Sequence, residues 1–197
     1  MQREIEAKFL RQNHNEVRQK LRKLGAICKH KMALMRRTVF DFPDRRLQAR
    51  GAWVRLRKEL DGSIELMVKH VASEKLGQTF EHPVVVTDYE AAKQFLLSLA
   101  LEVKGEQESK REVWRLGEAE IMLDEWPWVP PFIEIEAPSE EIVRNLAKQL
   151  GLNWDKAKFG GVTPVYMAEY AIGKEEFESA ELSMQFEQPI PAILKRN

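Results

Sequence analysis

Apolar and polar positions alternate along much of this chain. In residues 2–10, Glu4, Glu6 and Lys8 fall on one side and Arg3, Ile5, Ala7 and Phe9 on the other. That period of two marks a strand. Asn13 with Glu16 has the form of a capping box. Val17, Leu21 and Leu24 then recur at helical spacing, and Gly25 stops the helix. Residues 27–42 read as extended and end in the turn signal Phe42-Pro43-Asp44, followed by a basic loop to Gly51. Trp53 to Leu60 alternates again, with Arg55, Arg57 and Glu59 on one side; Asp61-Gly62 is a hairpin turn, and Ile64 to His70 returns. Further strands are predicted over 79–86, 103–116, 119–125 and 132–137. Thr87 with Glu90 predicts a helix over 88–100, and Pro138 to Glu141 opens another to about residue 150. Residues 154–173 read as one or two short helices around Gly160-Gly161. About eight strands joined by tight turns, with three or four helices, give an α+β class: helices packed outside a large antiparallel sheet or barrel.

The length of 197 residues fits one domain, read as 1–173, with a tail from 174 to 197 that is partly helical and could serve as a dimer arm or a lid. Thirty-one basic and 31 acidic residues cancel, which argues against a general or sequence-specific nucleic-acid binder. The single cysteine, Cys28, excludes an intrachain disulfide and any zinc site built on several cysteines. The N-terminus has no apolar signal core and no stretch is long enough to span a membrane, so the expectation is a cytoplasmic protein.

Charge placement changes the picture more than charge balance. Several strands have a face of charges: Glu4, Glu6, Lys8; Arg55, Arg57, Glu59; Lys69; Glu81; Lys110, Arg111; Asp124; Glu134, Glu136. Any one of these could be the solvated face of an ordinary sheet. Taken together they leave one sheet face charged almost throughout. If the sheet closes, that face lines an interior, and buried charges need partners, metal or water. The carboxylates of Glu4, Glu6, Asp124, Glu134 and Glu136 are hard oxygen donors suited to Mg²⁺ or Mn²⁺. Arg55 and Arg57 offer planar forks to phosphate oxygens, and Lys8, Lys69 and Lys110 add point charges. Carboxylates with a metal beside such cations suit phosphoryl chemistry on a polyphosphate.

These motifs together resemble the CYTH superfamily, the triphosphate tunnel metalloenzymes, which includes class IV adenylyl cyclases, thiamine triphosphatases and inorganic triphosphatases. The similarity starts with Glu4-Ile5-Glu6-Ala7-Lys8. It continues through Val54-Arg55-Leu56-Arg57, Leu66-Met67-Val68-Lys69 and Glu81, and ends with Leu123-Asp124-Glu125 and Phe132-Ile133-Glu134-Ile135-Glu136. It spans roughly residues 1–170. It implies an eight-stranded antiparallel barrel around a closed tunnel. It also implies that Glu4, Glu6, Glu134 and Glu136 bind divalent metal, and that Lys8, Arg55, Arg57, Lys69 and Arg111 hold a triphosphate. Glu81 and Asp124 are implied to assist metal, water or charge balance. Two positions depart from the family pattern. The fifth strand reads Glu81-His82-Pro83 where many members have a second carboxylate. The sixth reads Ser109-Lys110-Arg111, where Lys110 reaches the tunnel only if a bulge turns it inward.

The expected activity is metal-dependent hydrolysis of a triphosphate, inorganic or organic. Conversion of ATP to cyclic AMP and pyrophosphate is the alternative, and a non-catalytic polyphosphate- or nucleotide-binding module is the alternative of another class. The expected partner is a triphosphate-containing small molecule, with no membrane; a homodimer is left open. Trp126, Trp128 and Phe132 read as packing for a Pro-rich connection, with nucleobase stacking as the alternative. Arg36, Arg37, Arg45, Arg46 and Arg50 read as one basic group around a loop, either ordinary surface charge or an attraction for polyphosphate.

Overall fold

The computed structural model describes residues 2–73 and 75–195. Its strands are β1 (Gln2–Glu4), β2 (Glu6–Phe9), β3 (Ile27–Asp41), β4 (Ala52–Lys58), β5 (Ile64–Val71), β6 (Thr79–Val86), β7 (Glu102–Leu116), β8 (Ala119–Glu125) and β9 (Phe132–Glu136). They form one sheet of antiparallel neighbours in the order β1-β6-β5-β4-β3-β7-β8-β9-β2. Only Ile5 separates β1 from β2 in sequence, yet these are the two ends of the sheet. One N-terminal segment therefore pairs with β6 through its first half and with β9 through its second, curling the sheet into a nearly closed barrel. Closure satisfies backbone groups that an open edge would expose. Nine strands stand where eight were expected, because the alternating segment at residues 2–10 breaks at Ile5 as it changes partners.

The helices are α1 (His14–Lys23), α2 (Tyr89–Ser98), α3 (Glu140–Leu150), α4 (Thr163–Tyr170) and α5 (Lys174–Ser179). Asn13 caps α1 by accepting from the backbone N–H groups of Asn15 and Glu16. The cap of α2 is Asp88, not Thr87: its carboxylate accepts from Ala91 N–H, so the helix starts one residue later than predicted. Ser139 caps α3, and Gly151, at φ +72°, ends it in the left-handed conformation.

The barrel is built inside out: its apolar positions point outward beneath helices. Ile121, Leu123, Ile133 and Ile135 pack with Val17 and Leu21 of α1 and with Val143, Leu146 and Leu150 of α3. Burying each such side chain contributes about 1.5–3 kcal/mol. A second cluster sets Leu96 of α2 with Phe40, Val54 and Leu56. The third joins Trp126 and Phe132 to Val165, Tyr166, Ile172, Phe177, Met184 and Leu194. A boundary at 173/174 would cut through that third cluster.

Two C-terminal segments also complete the barrel wall. β8 pairs only with residues 110–116 of β7, which leaves the earlier part of that edge open. There Met184 bridges Gln107 in parallel, and Glu108 N–H donates to Met184 O at 2.7 Å. Gly105 lets this segment approach: a Cβ there would stand 3.2 Å from Leu182 O. On the other side, Lys8 and Lys158 exchange backbone hydrogen bonds of 2.8 and 2.9 Å along β2.

Candidate active site

The inward faces of the strands enclose a cavity of about 290 Å³. Its charges divide into two regions.

The first gathers Glu4 from β1, Glu6 and Lys8 from β2, Lys69 from β5, Glu81 from β6, and Glu134 and Glu136 from β9. Register does the gathering: Lys8 stands opposite Glu134, Glu6 opposite Glu136, and Lys69 opposite Glu81. Lys69 Nζ lies 2.6 Å from Glu4, 2.9 Å from Glu81 and 3.7 Å from Glu6. Lys8 Nζ lies 3.0 Å from Glu6 and 3.4 Å from Glu134, and it donates to Gly160 O at 2.6 Å.

Two lysines do not neutralise five carboxylates. The Glu136 carboxyl is pushed up to about 7 by burial and by the neighbouring Glu4 and Glu134. Glu6 is held well above the usual carboxylate range by burial and by Glu134. Its Oε1 is buried without a hydrogen bond, since Lys8, though close, is poorly aligned. Burial acts on Glu134 in the same sense, but Lys8, a hydrogen bond with Glu6, and Arg111 outweigh it and hold that group low. Oxygens of Glu4, Glu134 and Glu136 all lie within 4.8 Å of one another. A compact, under-neutralised set of oxygen donors fits a hard divalent cation.

The second region holds Arg37 from β3, Arg55 and Arg57 from β4, and Arg111 from β7. Arg55 donates to Glu65 at 2.9 Å; Arg57 lies 3.5 Å from the same carboxylate and donates to Glu59. Arg111 grips Asp124 through two bonds of 2.7 Å and reaches Glu134 at 3.3 Å. Arg111 is held well above its ordinary value: burial opposes the charge, but Asp124 and Glu134 outweigh it. Arg37 differs. It is 6% exposed, donates to Ser109 Oγ, and stacks with Cζ 4.5 Å from the Trp126 ring. Among the described residues no carboxylate lies within 4.0 Å of its guanidinium. The Nε groups of Arg37 and Arg55 are buried without a hydrogen-bond partner. Burial, and then Arg57, Arg55 and Arg111, hold Arg37 well below the ordinary arginine value. A guanidinium does not discharge for this; the shift records a cation kept without an anion.

Of the residues singled out from sequence, Glu4, Glu6, Lys8, Arg55, Arg57, Lys69, Glu81, Arg111, Glu134 and Glu136 line this cavity. Two others sit elsewhere. Lys110 lies outside: the β7–β8 ladder runs unbroken through Lys110↔Glu125 and Arg111↔Asp124, so no bulge turns it inward. Its ammonium sits 3.9 Å from Glu125 and over the Phe186 ring. Asp124 stands apart from the metal-competent cluster, fully buried, with both carboxylate oxygens bonded to Arg111. Sequence reasoning also missed the inward position of Arg37, grouped there with the loop arginines. Arg36 points out to Glu108 at 2.9 Å, and Arg37 points in. Only strand parity separates this doublet, and it is legible only once the register is known. The Gly160 carbonyl was missed too; nothing local signals it.

A nearly closed antiparallel barrel with carboxylates and arginines lining one cavity defines the class. The CYTH domain matches residues 2–156, and the chain belongs to that family. Solved structures agree on the fold. A Vibrio parahaemolyticus protein proposed as an adenylate cyclase is 19% identical, with a TM-score of 0.71, covering 83% of this chain and 97% of its own. A Pyrococcus horikoshii OT3 protein is 23% identical, with a TM-score of 0.66, covering 78% and 93%. The Hippeastrum protein HpAC1, proposed as an adenylyl cyclase and described as having a dominant triphosphatase activity, is 15% identical, with a TM-score of 0.59. It covers 96% of this chain and 100% of its own. No curated protein matches. No helix among the described residues is long and apolar enough to cross a membrane.

Proposed function

We propose that this chain is a divalent-metal-dependent triphosphatase that cleaves the terminal phosphoryl group of an inorganic or organic triphosphate inside the barrel. One observation carries the proposal: a carboxylate cluster competent for metal, Glu4 with Glu134 and Glu136, opens onto the same cavity as Arg37, Arg55, Arg57 and Arg111. Mg²⁺ or Mn²⁺ bound to those carboxylates supplies Lewis-acid polarisation of phosphoryl oxygens. Lys8 and Lys69 lie beside the cluster and offer point charges to the same phosphate oxygens. Arg55, Arg57 and Arg111 hold the chain of phosphates by charge-assisted bonds and keep it in line for displacement. Asp124 fixes the Arg111 fork, and Glu65 fixes Arg55. Water adds to the terminal phosphorus, the bond to the bridging oxygen breaks, and phosphate and a diphosphate leave. The dominant triphosphatase activity described for the Hippeastrum protein is in keeping with this reaction. The proposal places the enzyme in the cytoplasm.

The test is to incubate purified protein with Mg²⁺ or Mn²⁺ and, separately, tripolyphosphate, ATP and thiamine triphosphate, measuring phosphate and cyclic AMP in the same tubes. Phosphate release that EDTA abolishes is the expected result. Cyclic AMP with pyrophosphate from ATP would make it a cyclase. Tight triphosphate binding with neither product would make it a binding module.

A further inference from the structure

Arg37 is the one tunnel arginine whose position no other feature of the fold explains. Arg55 and Arg57 share Glu65, and Arg111 has Asp124. Arg37 has only a neutral hydroxyl, from Ser109, and the face of Trp126. Burying a guanidinium against three others is costly, and among the described residues it has no ion pair to offset that cost. Its unpaired Nε–H adds an unmet donor, which costs further. Packing alone would be served by an apolar side chain of similar length. Trp126, 7% exposed and anchored in the third apolar cluster, holds the guanidinium plane so that less freedom is lost on binding an anion. The place is therefore built for an anion that comes from outside the chain.

Position along the tunnel says which part of that anion. Arg37 stands opposite Arg57 in the β3–β4 ladder. Lys69, which contacts the acidic cluster, stands opposite Trp53 in the β4–β5 ladder. From Trp53 to Arg57 is four residues of strand, about 14 Å at 3.4 Å per residue. Arg55 occupies the level between. Measured along β4, the Arg37–Arg57 pair is therefore farther from Lys69 than Arg55 is.

We infer that Arg37, stacked on Trp126, forms with Arg57 an anion subsite for the phosphoryl group furthest from the metal cluster, and that this subsite makes the tunnel select triphosphates over diphosphates. The inference rests on the triphosphatase proposal above and deepens it. Arg37 is then a binding residue that touches substrate. Its loss appears in the affinity for long chains and spares short ones.

The experiment is calorimetric titration of tripolyphosphate and of pyrophosphate into wild-type protein, Arg37→Met and Arg37→Lys, at fixed Mg²⁺, with thermal melts to confirm folding. The expected result is a loss of about 10–100-fold in tripolyphosphate affinity for Arg37→Met, the range of a charge-assisted hydrogen bond. Pyrophosphate affinity should change less than about 3-fold, and Arg37→Lys should recover part of the loss. The metal-free Arg37→Met protein should melt no lower than wild type. Equal losses for both ligands, or none, overturn the inference while leaving the triphosphatase proposal standing. A wild-type protein that binds neither ligand overturns both.

Discussion

The two ends of the tunnel carry opposite charges, yet their construction differs in how far each is neutralised within the chain. At the arginine end most cations have a fixed carboxylate: Arg111 with Asp124, Arg55 and Arg57 with Glu65, Arg57 with Glu59. At the acidic end Lys8 and Lys69 serve Glu4, Glu6, Glu81 and Glu134 between them, and Glu136 has no ion pair within 4.0 Å among the described residues. One end is a preorganised fork array with Arg37 left over. The other is a reservoir of negative charge that awaits a cation. A site that binds metal and phosphate together needs this asymmetry, because full internal pairing at both ends would compete with the ligand.

The comparison can be broken most forcefully at Asp124. Asp124→Ala leaves Arg111 buried without its bidentate partner and should destabilise the fold by about 3–5 kcal/mol, read from chemical denaturation. Asp124→Asn should cost less, because it keeps part of the hydrogen bonding.

Glu136→Gln should behave in the opposite way. Removing one of three crowded carboxylates should lower turnover by about 10²–10³-fold and weaken Mn²⁺ binding. The same change relieves repulsion with Glu4 and Glu134, so the metal-free variant should melt at or above the wild-type temperature. A lower melting temperature would show that the acidic end is internally balanced after all.

Outside the tunnel, Glu112 is an ordinary structural carboxylate for contrast. Arg18 donates to both of its oxygens at 2.9 and 3.1 Å, and Trp114 Nε1 donates at 2.6 Å. Burial opposes its charge, but these donors outweigh burial and hold the carboxyl below its usual range. A depressed value means the stabilisation is present above the unfolded-state pKa and is lost as pH falls through the folded one. Glu112→Gln should cost about 1–3 kcal/mol at pH 7 and remove that acid-side loss, with turnover intact. The smallest effect is expected at Lys110. Lys110→Ala should change stability by less than about 0.5 kcal/mol and leave turnover at the wild-type level.

Much of this was legible beforehand. Period-two alternation located the strands, and the Asp61-Gly62 turn fixed the β4–β5 hairpin that brings Arg55 and Lys69 to one face. What escaped depended on register or long-range packing. Arg36-Arg37 and Lys110-Arg111 are both doublets, and in each one residue faces in and its neighbour faces out. For Lys110-Arg111 plain alternation gives the right facing, since the ladder has no bulge there; for Arg36-Arg37, β3 pairs with β7 through several register shifts, so counting along the sequence could not settle which. The break at Ile5 has no composition signal, because it arises where one segment changes partner strands. The C-terminal segment has no repeating pattern; Phe177, Met184 and Leu194 are placed by contact with Trp126 and Tyr166, far away in sequence.

The most direct measurement is diffraction at the manganese edge from crystals grown with Mn²⁺ and tripolyphosphate. The expected map has an anomalous peak among Glu4, Glu134 and Glu136, and phosphate density running from it to Arg55, Arg57 and Arg37. A peak outside that cluster, or phosphates held away from the arginines, would contradict the division of labour between the two ends.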